Sequence, residues 1–231
     1  MRDKIGVVIP VRDGGVGRAE RLKGMIDSWE EQSEGYSDLH IIIDDDEVNI
    51  FDWLESDKRV KSVTVQSKNN TLMQKINTIA LNIAENYEFV AFSADDIRYV
   101  NSWEKPFVNY LRSVPYGVVY GNDTIHGEKL GTHPCVSSNL VKVLGFFGCP
   151  AVAHNFFDDY WMSVGKTTGN IKYLPMVVMS HIHPISGKTH YDSLNIKVQN
   201  LMESDQKNFI KYMEENFEND IKKVESLNES N

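Results

Sequence analysis

Two groups of carboxylates stand out in this chain. Asp44, Asp45, Asp46 and Glu47 follow one apolar run, and Asp95 with Asp96 follow another. Like charges gathered this closely repel one another unless a cation or hydrogen-bond donors face them. A divalent metal held by oxygen ligands, bridging to a diphosphate, would relieve that repulsion. One acidic cluster alone reads more simply as a solvated loop, whereas two at the ends of neighbouring strands favour a ligand site. Further along, His181 and His183 stand two residues apart, so both imidazoles point the same way from an extended chain, and either could complete a metal site with Asp95. Asp158 and Asp159 open a helix-like segment, where a carboxylate could accept a proton from a hydroxyl or cap the helix. Lys188, in the polar loop Ser186-Gly187-Lys188-Thr189-His190, could neutralise charge on a leaving group.

The elements that would position these groups follow from hydrophobic periodicity. Ile5 to Val11 is a β-branched apolar run closed by Pro and a Gly pair, the pattern of a buried parallel strand. Arg18 to Gln32 places Leu22, Met25, Ile26 and Trp29 at helical spacing. Leu39 to Ile43, Val60 to Gln66 and Phe89 to Phe92 read as strands, and Thr71 to Asn86 as a helix. Both acidic clusters therefore fall at strand C-terminal ends, where open α/β sheets bind ligands. Trp103 to Ser113 reads as a helix, Tyr116 to Tyr120 as a strand, Asn155 to Val164 as a helix and Ile171 to Met179 as the last strand. Gly121 to Pro150 shows no clear period and is expected to shape an acceptor pocket. The tail from Asp205 to Leu227 carries apolar residues at helical spacing among mixed charges, which predicts one packed amphipathic helix.

Composition bounds the function. With 231 residues, 41% of them hydrophobic and 25% charged, the chain suits a single folded α/β domain with one site. The net charge of -9 argues against a broad phosphate-tracking surface for nucleic acid. No apolar stretch approaches the roughly 20 residues of a membrane span, and the N-terminus lacks the pattern of a signal peptide, so a cytoplasmic protein is expected. Cys135 and Cys149 lack CxxC spacing and read as isolated thiols.

The order of these pieces resembles the nucleotide-binding half of family 2-type glycosyltransferases. IGVVIPV resembles that family's strand ending in Ile-Pro-Thr, RLKGMIDSWEEQS its first helix ending in Gln-Ser, and IIIDDDE its second strand with paired aspartates. Lys75-Ile76-Asn77 falls where the family carries an Asn, and FVAFSADD resembles the strand bearing its Asp-x-Asp motif. HNFFDDYW resembles its Glu-Asp pair, and YLPMVVMSHIHP its late strand ending in histidine. The resemblance implies an α/β fold of the GT-A (Rossmann-like) type, with a mostly parallel central sheet flanked by helices. On that basis residues 1–200 form the GT-A domain, 1–100 its nucleotide-binding half and 101–200 its acceptor and catalytic half, and residues 201–231 a C-terminal amphipathic helix packed on it. It further implies transfer of a sugar from a nucleoside-diphosphate sugar, UDP- or GDP-linked, to an acceptor hydroxyl with inversion. Asp44 or Asp45 would meet the base, the backbone at Pro10 and Val11 would wall the nucleotide pocket, and Asn77, Ser93 and Ala94 would line the donor site. Asp95 and Asp96, joined by His181 or His183, would hold Mn2+ or Mg2+. Asp159 would act as general base, with Asp158 beside it. Ser93 stands where the family usually has Asp, and Val11 where it has Thr.

The acceptor is open among a glycan, a small metabolite, a protein and a modified nucleic-acid base. Two other functions fit parts of the sequence. The loop in VIPVRDGGVGRAERL is similar to the phosphate-cradling loop of sugar nucleotidyltransferases, which use a nucleoside triphosphate. Ser93 in place of a carboxylate suits a catalytically inactive nucleotide-sugar or carbohydrate-binding domain.

Overall fold

The computed structural model describes residues 2–228, and at residues 2, 3 and 186 the backbone alone. Its strands are β1 (Arg2–Pro10), β2 (Ser37–Asp44), β3 (Val60–Gln66), β4 (Tyr87–Phe92), β5 (Ile97–Tyr99), β6 (Val118–Asn122), β7 (Cys135–Ser137) and β8 (Ile171–His181). The helices are α1 (Arg18–Gln32), α2 (Leu72–Asn86), α3 (Glu104–Arg112), α4 (Ser138–Leu144), α5 (Phe157–Thr168), α6 (Ser193–Glu215) and α7 (Phe217–Glu225).

The strands form a single sheet in the order β3-β2-β1-β4-β7-β6-β8-β5. Pairing is parallel from β3 through β4 and between β6 and β8, while β7 and β5 run antiparallel to their neighbours. The sheet is thus mixed but mostly parallel, and the C-terminal ends of β1, β2, β4, β6 and β8 share one rim.

Alternation along the strands builds a core on each face. Ile5, Val7 and Ile9 of β1 pack with Leu22, Met25 and Ile26 of α1 and with Phe107 of α3. Val8 points the other way, into a cluster with Ile76 and Ile83 of α2, Leu140 of α4, Trp161 of α5 and Val224 of α7. Gly6 permits this closeness, because a Cβ there would lie 2.2 Å from Ile83 Cγ2. At the start of α2 a capping box joins Thr71 and Gln74, with side-chain to backbone distances of 3.2 and 2.9 Å.

Three features differ from the sequence expectation. The stretch 121–150 contains β7 and α4, and β5 follows the second acidic cluster; strands of three residues are too short to display a period. The tail is two helices, since α6 begins at Ser193 and the chain breaks at Asn216 before α7; residues 229–231 lie outside the described residues. Among the described residues no helix is long and apolar enough to cross a membrane.

Candidate active site

Asp44 ends β2 and is 1% exposed. One of its oxygens accepts from Lys75 Nζ of α2 and the other from Arg12 Nη1, beyond β1. Two cations on a buried carboxylate balance its charge, so Asp44 anchors a positive pair at the rim. Asp45 is exposed, with Oδ1 accepting from the Lys68 amide at 3.0 Å. Asp46 faces Arg12 and Lys68 at 3.4 and 3.3 Å. Glu47 turns inward, accepting from the amides of Asp13 and Gly14, both at 2.7 Å. Asp13 in turn accepts from the amides of Gly15 and Ala19 at 3.1 and 2.9 Å. These four amides, three of the Gly-rich loop and one of α1, are thus held by carboxylates of the chain itself rather than presented to a phosphate.

Pro10 and Val11 close β1 beside Asp44, and the Val11 amide donates to the Ile42 carbonyl at 2.8 Å. Two expected donor-site residues are placed otherwise. Ser93 is fully buried, its hydroxyl accepting from Tyr99 at 3.0 Å, so no ligand reaches it. Asn77 spends its amide on the turn before α5: Oδ1 accepts from the amides of Phe147 and Gly148 at 2.9 and 2.8 Å, and Nδ2 donates to the Gly148 carbonyl at 2.7 Å. On α2 it is Lys75, two residues earlier, that reaches the rim. Ala94 is partly buried against the core.

Asp95 and Asp96 follow β4 and are 4% and 7% exposed. Arg18 Nη1 lies 3.6 Å from Asp95, and His181 Nε2, at the end of β8, lies 3.3 Å from Asp96. Burial and the neighbouring Asp96 charge push the Asp95 carboxyl up, against the pull of Arg18. Burial would raise Asp96 as well, but the hydrogen bond and charge of His181 outweigh it and hold that carboxyl low. Asp95 Oδ2, Asp96 Oδ1 and His181 Nδ1 are all buried without a hydrogen-bond partner. Unpaired buried polar atoms are costly, and the two carboxylate oxygens are donors of the kind a divalent cation takes. Among the described residues no three His, Cys, Asp or Glu side chains gather closely enough to form a complete metal cage. A Mg2+-like ion needs only one or two protein carboxylates where substrate phosphates supply the rest. His183 is turned partly away, its Nδ1 accepting from the Ile185 amide at 3.3 Å.

Asp158 stands in the first turn of α5. Phe157 packs on Phe92, the last residue of β4, with ring centroids 4.9 Å apart. Burial, then the charge of Asp159, pushes the Asp158 carboxyl up to about 6, and the charge of His126 draws it back. Asp159 feels Lys166 instead, two turns along the same helix. Of the pair, Asp158 lies in the field of His126 and Asp159 in that of Lys166.

Several residues here carry no sequence signal. His133 lies edge-on to His181 at 5.1 Å and stacks on Phe92 at 5.8 Å, and burial pushes its imidazole down to about 3. Asp123 accepts from His126 Nδ1 at 2.8 Å and from the Ile125 and His126 amides at 2.9 and 2.7 Å. Arg18 donates to Asp192, the N-cap of α6, at 3.1 to 3.2 Å. Residues 182–192 are thereby strapped across the start of α1, with Lys188 Nζ on the hydroxyls of Ser180 and Thr124 at 2.7 and 3.2 Å. The Ser186 side chain of that loop lies outside the described residues. Cavities of about 320 Å³, beside α6, and 270 Å³, beside β3, lie away from the rim.

A mostly parallel sheet flanked by helices, with acids on the C-terminal rim, matches the arrangement of the GT-A fold. No protein-family model and no curated protein sequence matches the chain. Among solved structures it is similar to S. aureus TarS, a family 2-like GT-A glycosyltransferase. The TarS 1-349 complex with UDP superimposes with a TM-score of 0.58 at 13% identity, over 76% of this chain and 59% of that one. The complex with UDP-GlcNAc gives 0.53 at 12%, over 76% and 57%. A further TarS structure gives 0.57 at 11%, over 78% and 37%. The chain thus spans 37% to 59% of the TarS chains it matches, and what it shares with them is the fold.

Proposed function

We propose that this chain is a metal-dependent glycosyltransferase that moves a sugar from a UDP-linked donor to an acceptor hydroxyl with inversion. What supports the reading is that the strands leading to Asp44 and Asp45 and to Asp95 and Asp96 end on one rim, with His181 beside Asp96 and Phe157, the neighbour of Asp158, packed on the end of β4, in a fold shared with TarS, which has been solved with UDP and UDP-GlcNAc.

Each residue has a distinct task in this reading. Arg12 and Lys75, fixed by Asp44, present positive charge beside the nucleotide pocket, and Asp45 is open to the base. Asp95 and Asp96 with His181 would hold Mn2+ or Mg2+, which when bound supplies charge stabilisation to the departing diphosphate. Lys188 and Arg18 add positive charge on the strap side. Asp158 takes the proton of the acceptor hydroxyl as its oxygen bonds to the anomeric carbon. The bond from that carbon to the diphosphate oxygen breaks, and its electron pair leaves with UDP.

A panel of UDP- and GDP-sugars, assayed for nucleoside diphosphate release with Mn2+, Mg2+ or EDTA, tests the proposal. Release from one UDP-sugar that depends on the ion supports it. Turnover of a nucleoside triphosphate with a sugar phosphate, or ion-independent binding without turnover, would overturn it.

A further inference from the structure

We infer that Asp205, on the C-terminal helix α6, is a positioning residue that sets the Asp158 carboxylate in place; this rests on Asp158 being the base of the proposed transfer. Asp205 sits in the middle of a long polar helix and is nonetheless 1% exposed. Its Oδ1 accepts from the Ala153 amide at 2.8 Å, and its Oδ2 from the His154 and Asn155 amides at 3.0 and 2.8 Å and from Asn155 Nδ2 at 3.1 Å. A single buried carboxylate thus gathers four N–H donors from three consecutive residues. Asn155 Nδ2 also donates to the Val198 carbonyl at 3.3 Å, tying the same loop to α6 two turns earlier.

The next residue, Phe156, holds a backbone φ of 67°, a conformation that costs a non-glycine residue energy and persists only where the surroundings impose it. Its ring stacks on Phe209 at 5.2 Å, and Phe209 lies four residues after Asp205, on the same face of α6. After this forced turn α5 begins, Phe157 docks on Phe92, and Asp158 follows. The loop 153–156 has one fixed geometry because α6 holds both its amides and its ring, and the base lies two residues beyond. A displacement of about 1 Å at a reacting group costs about 100-fold in rate.

The test is a double-mutant cycle with Asp205→Asn, Asp158→Asn and the double variant, read as UDP release with kcat and KM separated. Asp205→Asn is expected to lower kcat about 10- to 100-fold with donor KM unchanged. Its acid limb should move down toward the ordinary carboxylate range, since a loosened loop admits water to Asp158. The double variant is expected to be no slower than Asp158→Asn alone, because Asp205 acts through Asp158. Full additivity, or wild-type kcat in Asp205→Asn, overturns the inference. Should Asp205→Asn fail to fold, Phe209→Leu is put through the same cycle, and additivity there overturns it equally. A wild-type chain that releases no UDP from any donor refutes the proposed function instead, so the two failures are distinct.

Discussion

Replacing Asp158 by Asn tests the chemistry with little disturbance, since Asn keeps an oxygen for the Asp159 amide, now 3.1 Å from Asp158 Oδ1, and loses only the ability to take a proton. A positioned general base contributes about 10²- to 10⁴-fold, or about 2.7–5.5 kcal/mol of barrier, so kcat is expected to fall by that factor. The wild type carries its own control in pH. Burial and the charge of Asp159 push this carboxyl up to about 6. At that value about nine-tenths is ionised at pH 7 and about one-tenth at pH 5, so kcat should drop nearly tenfold between them. The assay is UDP release from the accepted donor, followed from pH 4.5 to 8 in wild type, Asp158→Asn and Asp159→Asn. Asp159 lies in the field of Lys166 instead, and its replacement should cost less than about threefold. An Asp158→Asn variant retaining more than about a tenth of wild-type kcat, or an Asp159→Asn variant losing as much, would refute the assignment.

Two further predictions concern the scaffold. Lys75→Met strips one cation from buried Asp44 and leaves Arg12 on the other oxygen, so urea unfolding at pH 7 should show a loss of about 3 kcal/mol; a loss below about 1 kcal/mol would mean the contact carries little. Buried His40, between Ser62 and Tyr87, is pushed down to about 4 by burial. Its folded value lies below the unfolded one, so its contribution is complete above about pH 6.5 and is lost as pH falls toward 4; at pH 5 the loss is about 2 kcal/mol. The difference in unfolding free energy between pH 7 and pH 5 should shrink by that amount in His40→Gln, and an unchanged difference would contradict it.

The sequence made the scaffold legible where periods are long. The first four parallel strands and the helices α1 and α2 follow from apolar spacing, and acids at two strand ends point to a common rim because neighbouring parallel strands end together. Short elements were not legible: β5 and β7 have three residues each, and the pairings that define them come from β8 and from β4 with β6. Within the site the acids could be read, but not their partners. Lys75 meets Asp44 across 31 residues and Arg18 meets Asp192 across 174, separations at which no local pattern survives. Asn77 misled because its position matched a family feature while its amide was taken by the turn at Phe147 and Gly148. Asp158 and Asp159 are adjacent and alike, and only their surroundings, His126 for one and Lys166 for the other, separate them.

The most direct test of the rim as a cation-dependent diphosphate site is calorimetric titration of UDP into the wild-type chain and the Asp95→Asn variant, each with Mn2+ and with EDTA. Mn2+ should tighten UDP binding to the wild type by at least about tenfold, or about 1.4 kcal/mol, and should not do so in Asp95→Asn. UDP binding of equal strength in all four titrations would contradict it.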